Sequence, residues 1–188
     1  MDIIRQKNVL AVEGKDEVEF FKALLKHVGI TEIEPIDVGG KDKFKTKFPA
    51  LVRRTGFLDV DVLAVIRDAD NDAEGAFKSI RDILRKEGLE PPEDHNRFSH
   101  RKPQIGIFIM PGNSDTGMLE DLCLETVKNH PAMDCVNTFI ACVSHLDATP
   151  GNLAKAKVQA FLAAMPNCSV HRHVAEKFLY ITFLIIIK

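Results

Sequence analysis

The chain has no tryptophan, one tyrosine and only four cysteines among 188 residues. The cysteines, Cys123, Cys135, Cys142 and Cys168, include no closely spaced pair, which excludes a disulfide-stapled secreted module and a zinc ribbon. They read as buried thiols of a reducing cytosol. Long apolar runs are also missing: the densest, Ile181 to Ile187, is far too short to span a bilayer. The start, Met1-Asp2-Ile3-Ile4-Arg5, lacks the basic and then apolar pattern of an export signal. The expectation is therefore a cytoplasmic protein with no membrane partner. Charge bias is absent as well, with 25 Lys and Arg against 27 Asp and Glu and a net charge of -2. Nothing draws polyanions to the molecule as a whole, so a nucleic acid must be met by a local patch or a metal. What is present is 45% hydrophobic and 28% charged residues. That suits one well-filled core and excludes collagenous, coiled-coil and disordered chains.

The apolar pattern alternates between two periods. Asn8 to Val12 predicts a strand that ends at Glu13-Gly14, and Val18, Phe21, Leu24, Leu25 and Val28 then repeat at helical spacing. Ile33 to Val38 predicts a second strand closed by Gly39-Gly40, followed by a helix over 44–54. Val60 to Ile66 is nearly continuous in apolar residues, as expected of a strand covered on both faces, and runs into Arg67-Asp68-Ala69-Asp70-Asn71-Asp72. A helix over 76–86, a charged and proline-rich loop over 90–103, a strand over 104–110 and a helix over 118–127 follow. Ala132 to Leu146 and Leu153 to Met165 predict two amphipathic helices. The fold class is α/β: a Rossmann-like parallel sheet of about four strands flanked by helices over 1–130, with a C-terminal helical extension over 131–188 packed on it in one compact domain.

Ligands of open α/β sheets sit beyond the carboxyl ends of the strands, and both acidic groups fall there. Glu13 ends the first strand, while Asp68 and Asp70 end the third. Carboxylates about 4 Å apart repel by roughly 1 kcal/mol in water and about 4 at an effective dielectric of 20, a penalty that a divalent cation removes. Oxygen donors suit Mg²⁺ or Mn²⁺, with substrate phosphate completing the coordination. The plainer reading of Asp68-Ala69-Asp70-Asn71-Asp72 is a helix cap and first-turn acids, Asp72 being the cap. An EF-hand loop fails, since Ala73 and Ser79 stand where Gly and Glu are required. Lys15, at a helix start, and the run Lys41, Lys43, Lys45, Lys47, with Phe44 and Phe48 interleaved, offer local positive charge for phosphate; solvated helix faces explain them equally well. His100-Arg101-Lys102 is a weaker basic patch. Cys168, His171 and His173 match no familiar zinc spacing, and His145 reads as a loop or core histidine.

Val9-Leu10-Ala11-Val12-Glu13-Gly14-Lys15-Asp16-Glu17, then Val38-Gly39-Gly40, then Val65-Ile66-Arg67-Asp68-Ala69-Asp70, together resemble the Toprim domain of topoisomerases, primases, OLD-type nucleases and ribosomal-RNA maturases, over about residues 8–90. The resemblance implies a Toprim fold in which Glu13 is the general acid/base or a metal ligand, Asp68 and Asp70 hold Mg²⁺, and Asp72 is auxiliary. Gly14, Lys15, Gly39, Gly40, Lys41 and Lys43, at the helix start and in the local basic stretch, are the candidate phosphate or nucleic-acid contacts. OLD-type nucleases carry a further acid after the fourth strand. Here Thr116-Gly117-Met118-Leu119-Glu120-Asp121 is similar, with Gly117 where those nucleases tend to have Ser, so Glu120 is a candidate second-metal ligand; a first-turn helix acid is the equal alternative.

A topoisomerase is excluded by the lone Tyr180 and the lack of room for strand-passing domains, and a primase by missing accessory modules. A phosphatase of the haloacid-dehalogenase kind also uses Asp-x-Asp, but after its first core strand. What remains is similar to small stand-alone Toprim proteins. The expectation is a Mg²⁺- or Mn²⁺-dependent protein acting on DNA or RNA phosphodiester bonds, most simply a nuclease; the alternative is a non-catalytic module that binds nucleic acid, nucleotide or a partner protein. The apolar end, residues 178–188, departs from the Toprim pattern and reads as a buried strand, a homo-oligomer contact or an altered terminus.

Overall fold

A computed structural model describes residues 3–95, 97–113, 116–146 and 149–165. The elements are β1 (Asn8–Val12), α1 (Lys15–His27), β2 (Ile33–Asp37), α2 (Lys41–Val52), a 3-10 turn (Phe57–Asp59), β3 (Val62–Asp68), α3 (Ala73–Lys86), β4 (Gln104–Met110), α4 (Leu119–Val127), α5 (Ala132–Val143) and α6 (Leu153–Ala164). The sheet is four-stranded and parallel, in the order β2-β1-β3-β4. From β1 the chain crosses one way to β2 and then back over β1 to β3. The reversal puts the crevice between the carboxyl ends of β1 and β3 at the topological switch point.

Each strand feeds two cores by its period of two. Leu10, Val12, Ala64, Ile66, Phe108 and Met110 face α1, α4, α5 and α6, whereas Val9, Ala11, Leu63, Val65, Ile105, Ile107 and Ile109 face α2 and α3. Both faces are covered, which is why the strands read as continuous apolar runs. Phe44 and Phe48, one turn apart on α2, are fully buried and stacked with ring centroids 5.2 Å apart. They anchor the helix to the sheet and so leave Lys43, Lys45 and Lys47 exposed. Residues 98–99 cover the outer edge of β4: Ser99 N donates to Ile105 O and Ile105 N to Ser99 Oγ, both at 2.9 Å. These bonds satisfy edge groups that otherwise invite strand addition.

Several boundaries differ from expectation. β3 starts and ends two residues later than its apolar run, because Val60 closes the 3-10 turn, and pairing with β1 begins at Asn8↔Val62. At its other end the ladder continues through Arg67↔Ile109 and Asp68↔Met110. α3 begins at Ala73, since Asp72 Oδ1 accepts from Gly75 N at 2.8 Å and starts the helix earlier than its apolar residues suggest. The thiols also differ. Cys123 is buried, and burial pushes its thiol up to about 12. Cys135 and Cys142, however, are exposed, because α5 turns Met133, Val136 and Ile140 inward instead. Cys168, His171, His173 and the apolar run 178–188 lie outside the described residues. No described helix is long and apolar enough to cross a membrane.

Candidate functional site: a carboxylate crevice beside a buried arginine

Among the described residues, five acids lie around the carboxyl ends of β1 and β3. Asp68 closes β3 on the α1/α4 side, and its Oδ1 accepts the N–H of Leu119 at 3.0 Å, the first residue of α4. That bond ties the end of β3 to the helix carrying Glu120. Burial, with the nearby charges of Glu13, Glu17 and Glu120, raises the Asp68 carboxyl to about 8, although the Leu119 N–H opposes the rise. Glu13 is raised to about 7 by burial, against Arg67 and with Asp70 and Glu17 adding to the rise. Glu17 is raised too, chiefly by burial, with Asp16 and Glu120 contributing. Buried acids that raise one another are costly to ionise together, and sites with chemical work to do concentrate such groups.

Glu17 was not singled out by the sequence reading. It is the third residue of α1, the position from which an acid reaches back over the first turn, and it takes its own backbone N–H. A side chain at Gly14 would strike its carboxylate, with a Cβ only 2.7 Å from Glu17 Oε2. Gly14 thus makes room for an acid at the start of α1, where the free helix N–H groups and Lys15 suggested a phosphate, and Lys15 is exposed.

Asp70 follows at φ 52, a left-handed conformation that Asp tolerates better than most residues. Two backbone bonds hold it there: Asp70 N donates to Gly117 O at 2.9 Å, and Gly117 N donates to Asp70 O at 2.7 Å. The turns after β3 and β4 are thereby clasped together, and Gly117, at φ 130, accommodates the bridge. Asp72 is a helix cap, as its plainer reading had it. Asp121 likewise accepts from Met118 N at 2.9 Å, leaving Glu120 as the α4 acid that faces the crevice.

Arg67 was quoted in the motif but given no role. Its side chain is 5% exposed on the α2/α3 side of β3, and its Nε lies 2.9 Å from Glu13 Oε1. The pair is close, and its charge and hydrogen-bond contact both hold the Glu13 carboxyl down against burial, although the Nε–H is off the ideal direction. Glu13 is thus drawn toward Arg67, and among the described residues no three His, Cys, Asp or Glu side chains are grouped to hold a metal ion. The donor chemistry nevertheless fits a hard divalent cation: the groups are oxygen donors only, and their mutual repulsion in a buried site is what such an ion would relieve.

The glycine and lysine candidates divide by partner. Gly39, at φ 77, donates its N–H to Asp37 Oδ1 at 2.6 Å, and a side chain there would strike Lys43 and Lys47. Gly40 caps α2 and Lys41 opens it; Lys43 is exposed, and Lys47 pairs with Asp37 at 3.3 Å. Lys45 instead lines a cleft with Arg67 and Asp70. Of the remaining candidates, His145 is exposed, with Nδ1 2.7 Å from Ala141 O, and Arg101 pairs with Glu90 at 3.2 Å.

Comparisons with curated proteins and with solved structures return no match. Residues 7–182, nearly the whole chain, match the family described as protein of unknown function (DUF3226), and the chain belongs to that family.

Proposed function

We propose that this chain is a Toprim-like protein that uses Mg²⁺ or Mn²⁺ to cleave phosphodiester bonds of DNA or RNA. One observation carries the reading: Glu13 and Asp68, at the carboxyl ends of adjacent central strands, are raised to about 7 and about 8 by burial and by the acids around them. Asp68, Asp70 and Glu120, with Glu17 beside them, would hold the cation, which when bound polarises a phosphoryl oxygen and lowers the pKa of water. Glu13, protonated in part near neutral pH, can give or take a proton at its carboxyl oxygen, since acid–base groups work best with a pKa near the working pH. The Leu119 N–H fixes the Asp68 carboxyl, and the Asp70–Gly117 clasp fixes the turn that presents Asp70.

The test is cleavage of end-labelled single- and double-stranded DNA and RNA with Mg²⁺ or Mn²⁺. Wild type should cut at least one substrate, and Glu13→Gln and Asp68→Asn should each lose about 100-fold or more. Undiminished cleavage by both variants would end the assignment. The Glu13–Arg67 ion pair favours a second reading, a non-catalytic module whose acids are balanced internally. Nucleic-acid binding without cleavage, indifferent to Asp68→Asn, would select it.

A further inference from the structure

A cleft of about 420 Å³ opens between α2 and α3, on the opposite side of the sheet from the bond between Asp68 and Leu119. Arg67 forms its floor, Lys45 and Ser79 line it from α2 and α3, and Asp70, Asp72 and Gly75 line it at the first turn of α3. The volume lies in the range of small-ligand sites. Arg67 is the unusual member. It is nearly fully buried, its Nε–H meets Glu13 off the ideal hydrogen-bond direction, and Glu13 is the one acid paired with it among the described residues. Buried guanidinium groups generally occur fully bonded, because an unmet donor costs free energy. A guanidinium, a lysine and a hydroxyl on one cleft together suit a tetrahedral oxyanion.

The acids set the selectivity. Asp72 already accepts the Gly75 N–H, and a side chain at Gly75 would strike its carboxylate, so this acid is held as a cap. Formal charge along the lining balances, two cations against Asp70 and Asp72. The cleft therefore depends on geometry at Arg67 rather than on bulk positive charge, which fits a net charge of -2 for the chain.

We propose that this cleft binds a phosphoryl group through Arg67 and Lys45, and that the bound group competes with Glu13 for Arg67. Occupation of the cleft then releases Glu13 toward Asp68 and Asp70, so substrate binding completes the carboxylate site. The proposal deepens the phosphodiester reading by stating where the substrate phosphate sits. Its test uses neither a metal nor cleavage, so the two ideas fail separately.

The experiment is calorimetric titration of the full chain, in chelator, with inorganic phosphate and separately with a short single-stranded oligonucleotide lacking terminal phosphates. Lys45→Ala, at an exposed position, should weaken binding about threefold to tenfold, and Arg67→Gln more than about tenfold, with Arg67→Lys between wild type and Arg67→Gln. Glu13→Gln should tighten binding by about threefold or more, because it removes the competitor; a purely structural ion pair predicts no such gain. If Arg67→Gln fails to fold, Lys45→Ala and Glu13→Gln still decide the matter. Binding of phosphate with this variant pattern assigns the cleft to a terminal phosphate, and binding of the oligonucleotide alone with the same pattern assigns it to the backbone. Absence of binding to both ligands, or binding that Lys45→Ala and Glu13→Gln leave unchanged, overturns the proposal.

Discussion

Two aspartates flank β3 and have opposite surroundings. Asp61, just before the strand, lies at the amino end of the sheet, partly exposed between Lys102 and Lys7; the contact with Lys102, aided by Lys7, holds its carboxyl below the usual range. Asp68, the last residue of the strand, is half-buried among acids and pushed up to about 8. Residue type is the same and both border one strand; burial and the sign of the neighbouring charges differ. The amino end is a solvated surface whose ion pairs contribute little. The carboxyl end keeps a repulsion that selection for stability alone would remove, which is the reason to look for function there.

Substitution at the two ends sharpens that contrast. In metal-free buffer, folded Asp68 keeps its proton up to about pH 8 while the unfolded chain releases it near its ordinary value of 3.8. The stability from that protonation is therefore complete below about pH 4 and is lost as pH rises through about 8. Asp68→Asn, measured by denaturant unfolding, should be more stable than wild type at about pH 8.5 by on the order of 2–3 kcal/mol, discounted for solvent at a partly exposed carboxyl, and the advantage should vanish near pH 4. Glu13→Gln should instead be less stable than wild type at the same pH, by on the order of 1–2 kcal/mol, because it leaves the buried Arg67 guanidinium without its acid. Smaller still is the effect of Glu17→Gln, which should lower the Asp68 pKa by less than about one unit, as read from carboxyl carbon shifts in a pH titration. Smallest of all, Asp61→Asn should leave the melting temperature within experimental scatter at neutral pH. A gain from Asp61→Asn equal to that from Asp68→Asn would erase the contrast between the two ends.

The sheet was legible because buried parallel strands leave continuous apolar runs. β1 and β4 match those runs residue for residue, and the stop at Gly39-Gly40 reflects a turn that needs φ 77. The ends of β3 were not legible. Val60 is apolar but belongs to the preceding turn, and Arg67 and Asp68 are charged but belong to the ladder, tolerated there by Glu13 and by the Leu119 N–H. Those partners are distant in sequence, so no local pattern announces them. The positions of Glu13, Asp68 and Asp70 at the strand ends could be read, as could the capping role of Asp72. Glu17 had a signal, an acid three residues after a glycine cap, that looks like any first-turn helix acid. Arg67 had one as well: a lone cation at the end of an apolar run, whose meaning depends on a glutamate just beyond another strand. The lysines over 41–47 look equivalent in sequence, and only packing of Phe44 and Phe48 separates Lys45, on the cleft, from Lys47, on Asp37.

The central claim, that the carboxyl end of the sheet is built for a divalent cation, is tested most directly by titrating the metal-free chain with Mn²⁺ at about pH 8 in a calorimeter, alongside Asp68→Asn and Asp61→Asn. The account predicts binding by wild type and unchanged binding by Asp61→Asn, with loss of binding in Asp68→Asn. No binding by wild type, or equal binding by Asp68→Asn, would contradict it.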